Sequence, residues 1–141
     1  MKESIPPILR PESVTPVDLM AFAAKFGLQI KGSADQVRLT GISMNTGDLR
    51  PGDLFVAMPG KKTHGANFVA KAIELGAVAV VTDQAGADIL GASNLPILLL
   101  ENPRAHLGDL AAFVYGNVPG NMPKLFATTG TNGKTSTSYL L

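Results

Sequence analysis

The most chemically specific stretch of the chain is a glycine-rich segment near its C-terminal end, preceded by a short apolar run. A strand that leads into a glycine-rich turn and then a helix directs several backbone N–H groups at one point, at the positive end of the helix dipole. An anionic phosphate fits at such a point. The segment consists of Gly130, Thr131, Asn132, Gly133, Lys134, Thr135 and Ser136. We therefore predict that these residues bind a nucleoside triphosphate.

Two side chains of this segment have specific predicted roles. Lys134, the predicted catalytic residue, would supply positive charge to the β and γ phosphates, and the Thr135 hydroxyl would bind Mg²⁺. The predicted cofactors are thus ATP and Mg²⁺. The usual pattern of such loops has a further glycine where this chain has Thr128. The alternative is a Gly-Asn-Gly turn followed by the polar start of a helix.

Composition and charge narrow the class of protein. Of the 141 residues 45% are hydrophobic, but no run approaches the ~20 apolar residues of a membrane helix. The formal net charge of +1 gives no long-range field to attract nucleic acid or anionic lipid. Cysteine is absent, which excludes disulfides and thiolate metal sites. Since the first residues also lack the features of a secretory signal, we expect a cytoplasmic monomer that binds neither nucleic acid nor membranes.

Alternating strands and helices must position these residues. Strands are predicted at residues 37–43, 54–58, 77–82, 97–100 and 125–128. Most of them are nearly continuous apolar runs, which is typical of strands that are buried on both faces. The fold class predicted is therefore α/β, with a mixed open sheet that is followed by the first strand, phosphate loop and truncated helix of an ATPase domain.

Capping residues and apolar spacing locate the helices. The first is predicted to begin with Thr15 as N-cap and Pro16 as its first residue, and to end at Gly27. The second starts near residue 67 and stops at Gly76. Its predicted apolar face consists of Phe68, Val69, Ala72 and Ile73. A third helix is predicted over residues 85–90.

The fourth helix lies close to a predicted domain boundary. Asn102 is its expected cap and Pro103 its first residue, with Leu107, Leu110, Ala111 and Val114 facing inward. Residues 115–123 are rich in Gly, Pro and Asn and form the most linker-like segment. The boundary can also fall earlier, at Glu101, and we adopt that division, with one domain at residues 1–101 and the start of another at residues 102–141.

Two separated motifs resemble those of one enzyme family. The first is PGDLFVAMPG at residues 51–60, followed by Gly65, an apolar helix and LGAVAV at residues 75–80. The second is TGTNGKTS at residues 129–136. Their wording and order resemble the Mur ligases, and Thr131 favours the MurE type over the MurF type, which more often has serine there. The resemblance covers the chain from about residue 38 onward.

The resemblance implies an activity. Mur ligases of the MurE type are UDP-N-acetylmuramoyl-tripeptide synthetases of peptidoglycan synthesis, with a UDP-binding domain, an ATPase domain and an amino-acid-binding domain. They add meso-diaminopimelate or L-lysine to UDP-N-acetylmuramoyl-L-alanyl-D-glutamate. ATP converts the D-glutamate carboxylate into an acyl phosphate, which the amine of the diamino acid then attacks. The implied partners are therefore the UDP-linked dipeptide and a diamino acid.

The resemblance also implies a site for the UDP group. By position, the family's uridine contacts fall on Met44 and Thr46, and its contacts in the next loop fall on Lys61, Lys62 and Thr63. Two lysines on a glycine-flanked loop suit a diphosphate. The alternative for the lysines is a plain solvated pair, and His64 is expected to be a surface or capping residue and His106 to face solvent.

Some residues depart from the family pattern. The usual Asp-Ser-Arg or Asp-Thr-Arg is Asn45-Thr46-Gly47 here, His64 replaces an aspartate, and Ser136 replaces a common second threonine. The resemblance further implies that the chain is an N-terminal part of the enzyme, inactive as a ligase by itself. A MurF-type or folylpolyglutamate-type ligase and a non-catalytic nucleotide-binding module are the alternatives.

Overall fold

A computed structural model describes residues 10–117 and Gly120. The strands are β1 Val17–Asp18, β2 Gln29–Lys31, β3 Arg38–Leu39, β4 Gly41–Ser43, β5 Asp53–Ala57, β6 Ala79–Thr82 and β7 Ile97–Leu99. The helices are α1 Leu19–Phe26, a 3₁₀-helix Gly65–Phe68, α2 Val69–Glu74, α3 Gln84–Leu90 and α4 Pro103–Val114. The predicted strand at 125–128 and the phosphate loop at 130–136 lie outside the described residues.

The central sheet is mixed and open, as predicted. Its strand order is β2-β7-β6-β5-β4, where β4 to β7 run parallel and β2 pairs antiparallel with β7. Strands β5, β6 and β7 lie within two residues of their predicted bounds. The sequence analysis missed β2, because a strand of three residues with a single apolar side chain, Ile30, has almost no pattern to detect.

Each face of the sheet packs against helices. Leu54 and Val81 belong to one buried cluster, which also contains residues of α1 and α4. Phe55 and Val80, their neighbours in sequence, point the other way into a second cluster with α2. Both faces are thereby covered, which is why β5 and β6 are buried at every position.

The first helix begins later than predicted. Residues Val17–Asp18 form β1, which pairs antiparallel with β3, and Asp18 rather than Thr15 is the N-cap. The Ala21 N–H donates to Asp18 Oδ1 at 3.1 Å. Pairing with a distant strand overrode the local signal of Thr15 and Pro16. The end is confirmed, since Gly27 takes the left-handed conformation there with φ 64°.

The predicted apolar face of the second helix is wrong in two positions. Val69 and Ala72 are buried, whereas Phe68 is 48% exposed and Ile73 is 38% exposed. For Phe68 the reason is that the segment begins as a 3₁₀-helix and turns into α2 only at Val69, so one helical period does not run through it. Nothing in the structure explains the exposure of Ile73.

The fourth helix is confirmed in its cap and first residue. The Ala105 N–H donates to Asn102 Oδ1 at 3.3 Å, and Pro103 is the first residue of α4. Leu110 and Val114 are buried in the cluster that contains Leu19 and Phe22 of α1. Helix α4 therefore packs on the sheet, and the division at residues 101 and 102 stays a prediction. Within residues 10–117 and Gly120, none of the helices combines the length and apolar character needed to span a membrane.

Candidate functional site

The candidate site is a cavity of about 330 Å³ at the carboxyl ends of β4 and β5. Loops that follow parallel strands meet at this edge of a sheet, which is where open α/β sheets commonly bind ligands. The lining residues come from the loop after β4, the end of β5 and the loop that follows it, the 3₁₀-helix and the start of α4. They are Met44, Asn45, Val56, Met58, Pro59, Gly60, Thr63, Gly65, Phe68 and Arg104.

The structure brings part of the predicted UDP site together. Met44 and Thr63, which lie far apart in sequence, both line the cavity, and Met44 is 56% exposed. Thr46, Lys61 and Lys62 lie at the same end of the sheet but are not among the lining residues. Both lysines are exposed, and Thr46 is half-buried. Their contacts with a nucleotide therefore remain predictions.

Short-range hydrogen bonds shape the loop after β4. The Asn45 N–H donates to Ser43 Oγ at 3.1 Å, and the Gly47 N–H donates to Asn45 Oδ1 at 2.8 Å. Ser43 Oγ also contacts the Asp48 carboxylate. Side chains of this kind commonly mimic a backbone turn. Asn45 and Gly47, which depart from the family pattern, thus belong to a hydrogen-bonded turn that runs from Ser43 to Asp48.

Glycines close the loop after β5. The Gly60 N–H donates to the Thr63 carbonyl at 3.0 Å, and the Gly65 N–H donates to the Met58 carbonyl at 2.7 Å. A Cβ on Gly60 would lie 2.6 Å from the Thr63 carbonyl oxygen, and a Cβ on Gly65 would lie 2.8 Å from the Met58 nitrogen. Only glycine permits this approach. The loop therefore holds Lys61 and Lys62 at its exposed tip.

His64 anchors the end of the same loop. Its Nδ1 accepts the Ala66 N–H at 3.0 Å and caps the 3₁₀-helix, so the predicted capping role is confirmed. Because Nδ1 accepts, the ring proton lies on Nε2, which donates to Asp83 Oδ1 at 2.9 Å. The same carboxylate oxygen accepts the Gly86 N–H at 2.8 Å at the start of α3. His106, as expected, is exposed.

Phe68 and Arg104 are among the lining residues that were not predicted as site residues. Phe68 was expected in the apolar core, and Arg104 carried no signal because an arginine in the first turn of a helix is ordinarily a surface residue. In the structure Phe68 presents an exposed ring to the cavity. The Arg104 Nη2 donates to the Pro59 carbonyl at 3.2 Å, across 45 residues of sequence.

The charge of the cavity wall favours an anion. Its lining, all from the described part of the chain, contains Arg104 and no aspartate or glutamate. A neighbouring cavity of about 670 Å³, beyond the ends of β6 and β7, contains Asp83 and Glu101 and no lysine or arginine. Because opposite charges attract, the lining of the first cavity favours an anion and that of the second favours a cation.

Asp53 of the PGDLF motif has a structural role instead. Both of its carboxylate oxygens accept from the Arg10 guanidinium at 2.7 Å, and Oδ2 also accepts the Arg50 N–H at 2.9 Å. The side chains of Arg10 and Asp53 are 9% and 1% exposed. The hydrogen bond that Arg10 donates to Asp53 raises the pKa of Arg10. This buried pair lies at the amino end of β5, away from the cavity.

Comparisons with known proteins identify the family and the relatives to which this chain is similar. The family described as "Mur ligase family, catalytic domain" matches residues 38–115. A UDP-N-acetylmuramoyl-L-alanyl-D-glutamate--2,6-diaminopimelate ligase of Streptomyces avermitilis is 44% identical over 132 residues, which is 94% of this chain and 26% of that protein. A UDP-N-acetylmuramyl-tripeptide synthetase of Leifsonia xyli subsp. xyli is 46% identical over 136 residues, 96% of this chain and 26% of that protein.

A solved structure agrees on the fold. MurF of Acinetobacter baumannii superposes with a TM-score of 0.58 at 20% identity, covering 72% of this chain and 21% of that one. A likeness at that identity concerns the fold alone. This chain spans about a quarter of the length of the relatives it matches.

Proposed function

The chain belongs to the Mur ligase family, and from that premise we propose that residues 10–117 hold the UDP group of the substrate of an ATP-dependent ligase. The proposed reaction adds diaminopimelate to UDP-N-acetylmuramoyl-L-alanyl-D-glutamate, the activity named for a relative that is 44% identical. The observation that carries the proposal is the cavity at the carboxyl ends of β4 and β5, where Met44 and Thr63 meet in a lining without acidic residues.

The cavity offers suitable surfaces for a uridine. Phe68 and Met44 present apolar surface in its wall, and nucleobases stack readily on aromatic rings. Thr63 Oγ1 accepts from Asn67 Nδ2 at 2.8 Å, which leaves the hydroxyl hydrogen to be donated to a ligand oxygen. In the proposal Thr46 contacts the uridine, and Lys61 and Lys62 at the loop tip contribute positive charge toward the diphosphate.

In this proposal, residues outside the range 10–117 carry out the chemical step. A carboxylate resists attack by an amine until one of its oxygens becomes a good leaving group. The γ-phosphoryl group of ATP moves to the D-glutamate carboxylate and releases ADP, and the amine then displaces phosphate to form the amide. Lys134 and Thr135 are the residues proposed to hold the ATP phosphates and Mg²⁺. We also propose that the protein is cytoplasmic and monomeric, and light scattering on the purified chain tests the monomeric state.

A binding titration tests the uridine site. The amide signals of the ¹⁵N-labelled chain are followed by NMR while UDP is added, first to the unaltered protein and then to Phe68→Ala. The matched control is Ile89→Ala, since Ile89 is 49% exposed on α3 and does not line the cavity. We expect UDP to shift the amides of Met44 and Thr63, and Phe68→Ala to weaken binding about fivefold or more while Ile89→Ala leaves it unchanged.

Two results would count against the proposal. Absence of any UDP-dependent shift in the unaltered chain would favour a module that binds no uridine nucleotide. Shifts confined to residues away from the loops after β4 and β5 would place the nucleotide elsewhere.

A further inference from the structure

Arg104, at the edge of the cavity, is a cation that has no acidic partner in the described part of the chain. Within residues 10–117 and Gly120 the ion pairs are Arg10–Asp53, His64–Asp83 and Lys71–Glu74, so none involves Arg104. Its only hydrogen bond among these residues is the one from Nη2 to the Pro59 carbonyl. A carbonyl dipole orients a guanidinium but does not neutralise its charge.

The Pro59 contact fixes where this charge lies. Pro59 opens the loop after β5, pairs with His64 in an isolated β-bridge, and lines the cavity together with Arg104. A guanidinium carries five N–H donors in a planar fork, and one donor held by Pro59 leaves the others for a ligand. Such a fork matches the oxygens of a phosphate group better than a lysine does.

We propose that Arg104 binds the diphosphate of the uridine nucleotide, a role that rests on the proposed function of the cavity. The lining has apolar surface at Met44 and Phe68 and a single formal charge at Arg104. A nucleoside diphosphate has the complementary arrangement, an uncharged base joined through ribose to adjacent anionic groups. In the substrate the peptide carboxylates are separated from the base by ribose, diphosphate and the muramoyl sugar, whereas the diphosphate is joined to the base through ribose alone. The diphosphate is therefore the anionic group nearest to the base.

This role has a consequence for the architecture. Arg104 lies in the first turn of α4, on the far side of the predicted boundary at residues 101 and 102. The nucleotide site would therefore be completed by α4, and its diphosphate would join that helix to the loop after β5.

The test compares UDP with uridine, which lacks the phosphates. Dissociation constants for both ligands are measured by NMR titration on the unaltered chain, Arg104→Gln and Arg104→Lys. The control is Arg38→Gln, because Arg38 is an exposed arginine of β3 that does not line the cavity. We expect Arg104→Gln to weaken UDP binding roughly ten- to a hundredfold with no change for uridine, and Arg104→Lys to lie between. Arg38→Gln should bind both ligands like the unaltered chain.

The outcomes separate this inference from the proposed function. Suppose that the unaltered chain binds UDP, and that Arg104→Gln weakens the binding of UDP and uridine equally or changes neither. Arg104 is then not a phosphate ligand, although the uridine site is still supported. If the unaltered chain binds no uridine nucleotide at all, the function of the cavity itself is refuted. Thermal unfolding of each variant shows whether a loss of binding reflects a loss of folding.

Discussion

His64 Nε2 lies 2.9 Å from Asp83 Oδ1, and this hydrogen bond joins the loop after β5 to the start of α3. Both side chains are largely buried, at 11% and 17% exposure. His64 thus caps the 3₁₀-helix with one ring nitrogen and contacts the cap of α3 with the other. The hydrogen bond ties the end of the loop after β5 to the carboxyl end of β6, the next strand along the chain.

Substituting His64 in two ways separates its two hydrogen bonds. In His64→Asn a side-chain oxygen can still accept the Ala66 N–H, but it is too short to reach Asp83, whereas His64→Ala loses both contacts. We expect His64→Ala to lower the free energy of unfolding by about 1–2 kcal/mol, and His64→Asn by less. Urea denaturation measures both values. In a double-mutant cycle of His64→Asn with Asp83→Ala, strictly additive losses would contradict the coupling.

Gly86 is required where α3 meets this pair. A Cβ at Gly86 would overlap Thr82 Oγ1 and lie 2.6 Å from His64 Cε1. We therefore expect Gly86→Ala to reduce the free energy of unfolding by about 1–3 kcal/mol. The matched control is Gly108→Ala in α4, where a Cβ meets no heavy atom within 4 Å. That change should stabilise the protein by about 0.5–1 kcal/mol, since alanine favours a helix more than glycine does. Equal effects of the two substitutions would refute the packing argument.

The Arg10–Asp53 pair is expected to contribute more to the free energy of unfolding than an exposed ion pair does. Asp53→Ala leaves the Arg10 guanidinium largely buried without its carboxylate, which should cost about 3–5 kcal/mol of stability. The pKa of Arg10 is raised by its hydrogen bond to Asp53, so the guanidinium is charged at neutral pH. Glu74→Ala serves as the control, since Lys71 and Glu74 are 59% and 68% exposed. It should change stability by less than about 0.5 kcal/mol in the same urea titration. A small loss for Asp53→Ala would show that the site relaxes or admits water.

Truncation tests where the first domain ends. Phe113 of α4 contacts Phe22 and Phe26 of α1, with ring centroids 6.0 and 5.7 Å apart, and Leu110 is fully buried. A chain that ends at residue 101 would leave this apolar surface of α1 uncovered, whereas a chain that ends at residue 117 retains it. We expect cooperative thermal unfolding, followed by circular dichroism, only for the longer chain. Equal stability of the two would support the boundary at residue 101.

The parts of the fold that were predicted well are those with strong local signals. Strands β5, β6 and β7 are mostly apolar, with Asp53 and Thr82 as their only polar residues, and α4 begins with an asparagine cap and a proline. The start of α1 was missed because β1 pairs with β3, and the exposure of Phe68 was missed because the helical period breaks at Val69. Pairing and period changes of this kind depend on neighbours that are distant in sequence.

The sequence by itself determined the α/β class, the parallel core strands, the two family motifs and the loops that surround the candidate cavity. Only the tertiary structure decided three contacts between distant residues. Asp53 accepts hydrogen bonds from Arg10, 43 residues away. Asp83 accepts one from His64, and Arg104 donates one to the Pro59 carbonyl. The physical reason is the separation along the sequence of the residues that interact. Helix caps, turns and apolar runs are properties of neighbouring residues, whereas the partner of a charged or polar side chain is set by which strand ends the completed sheet brings together.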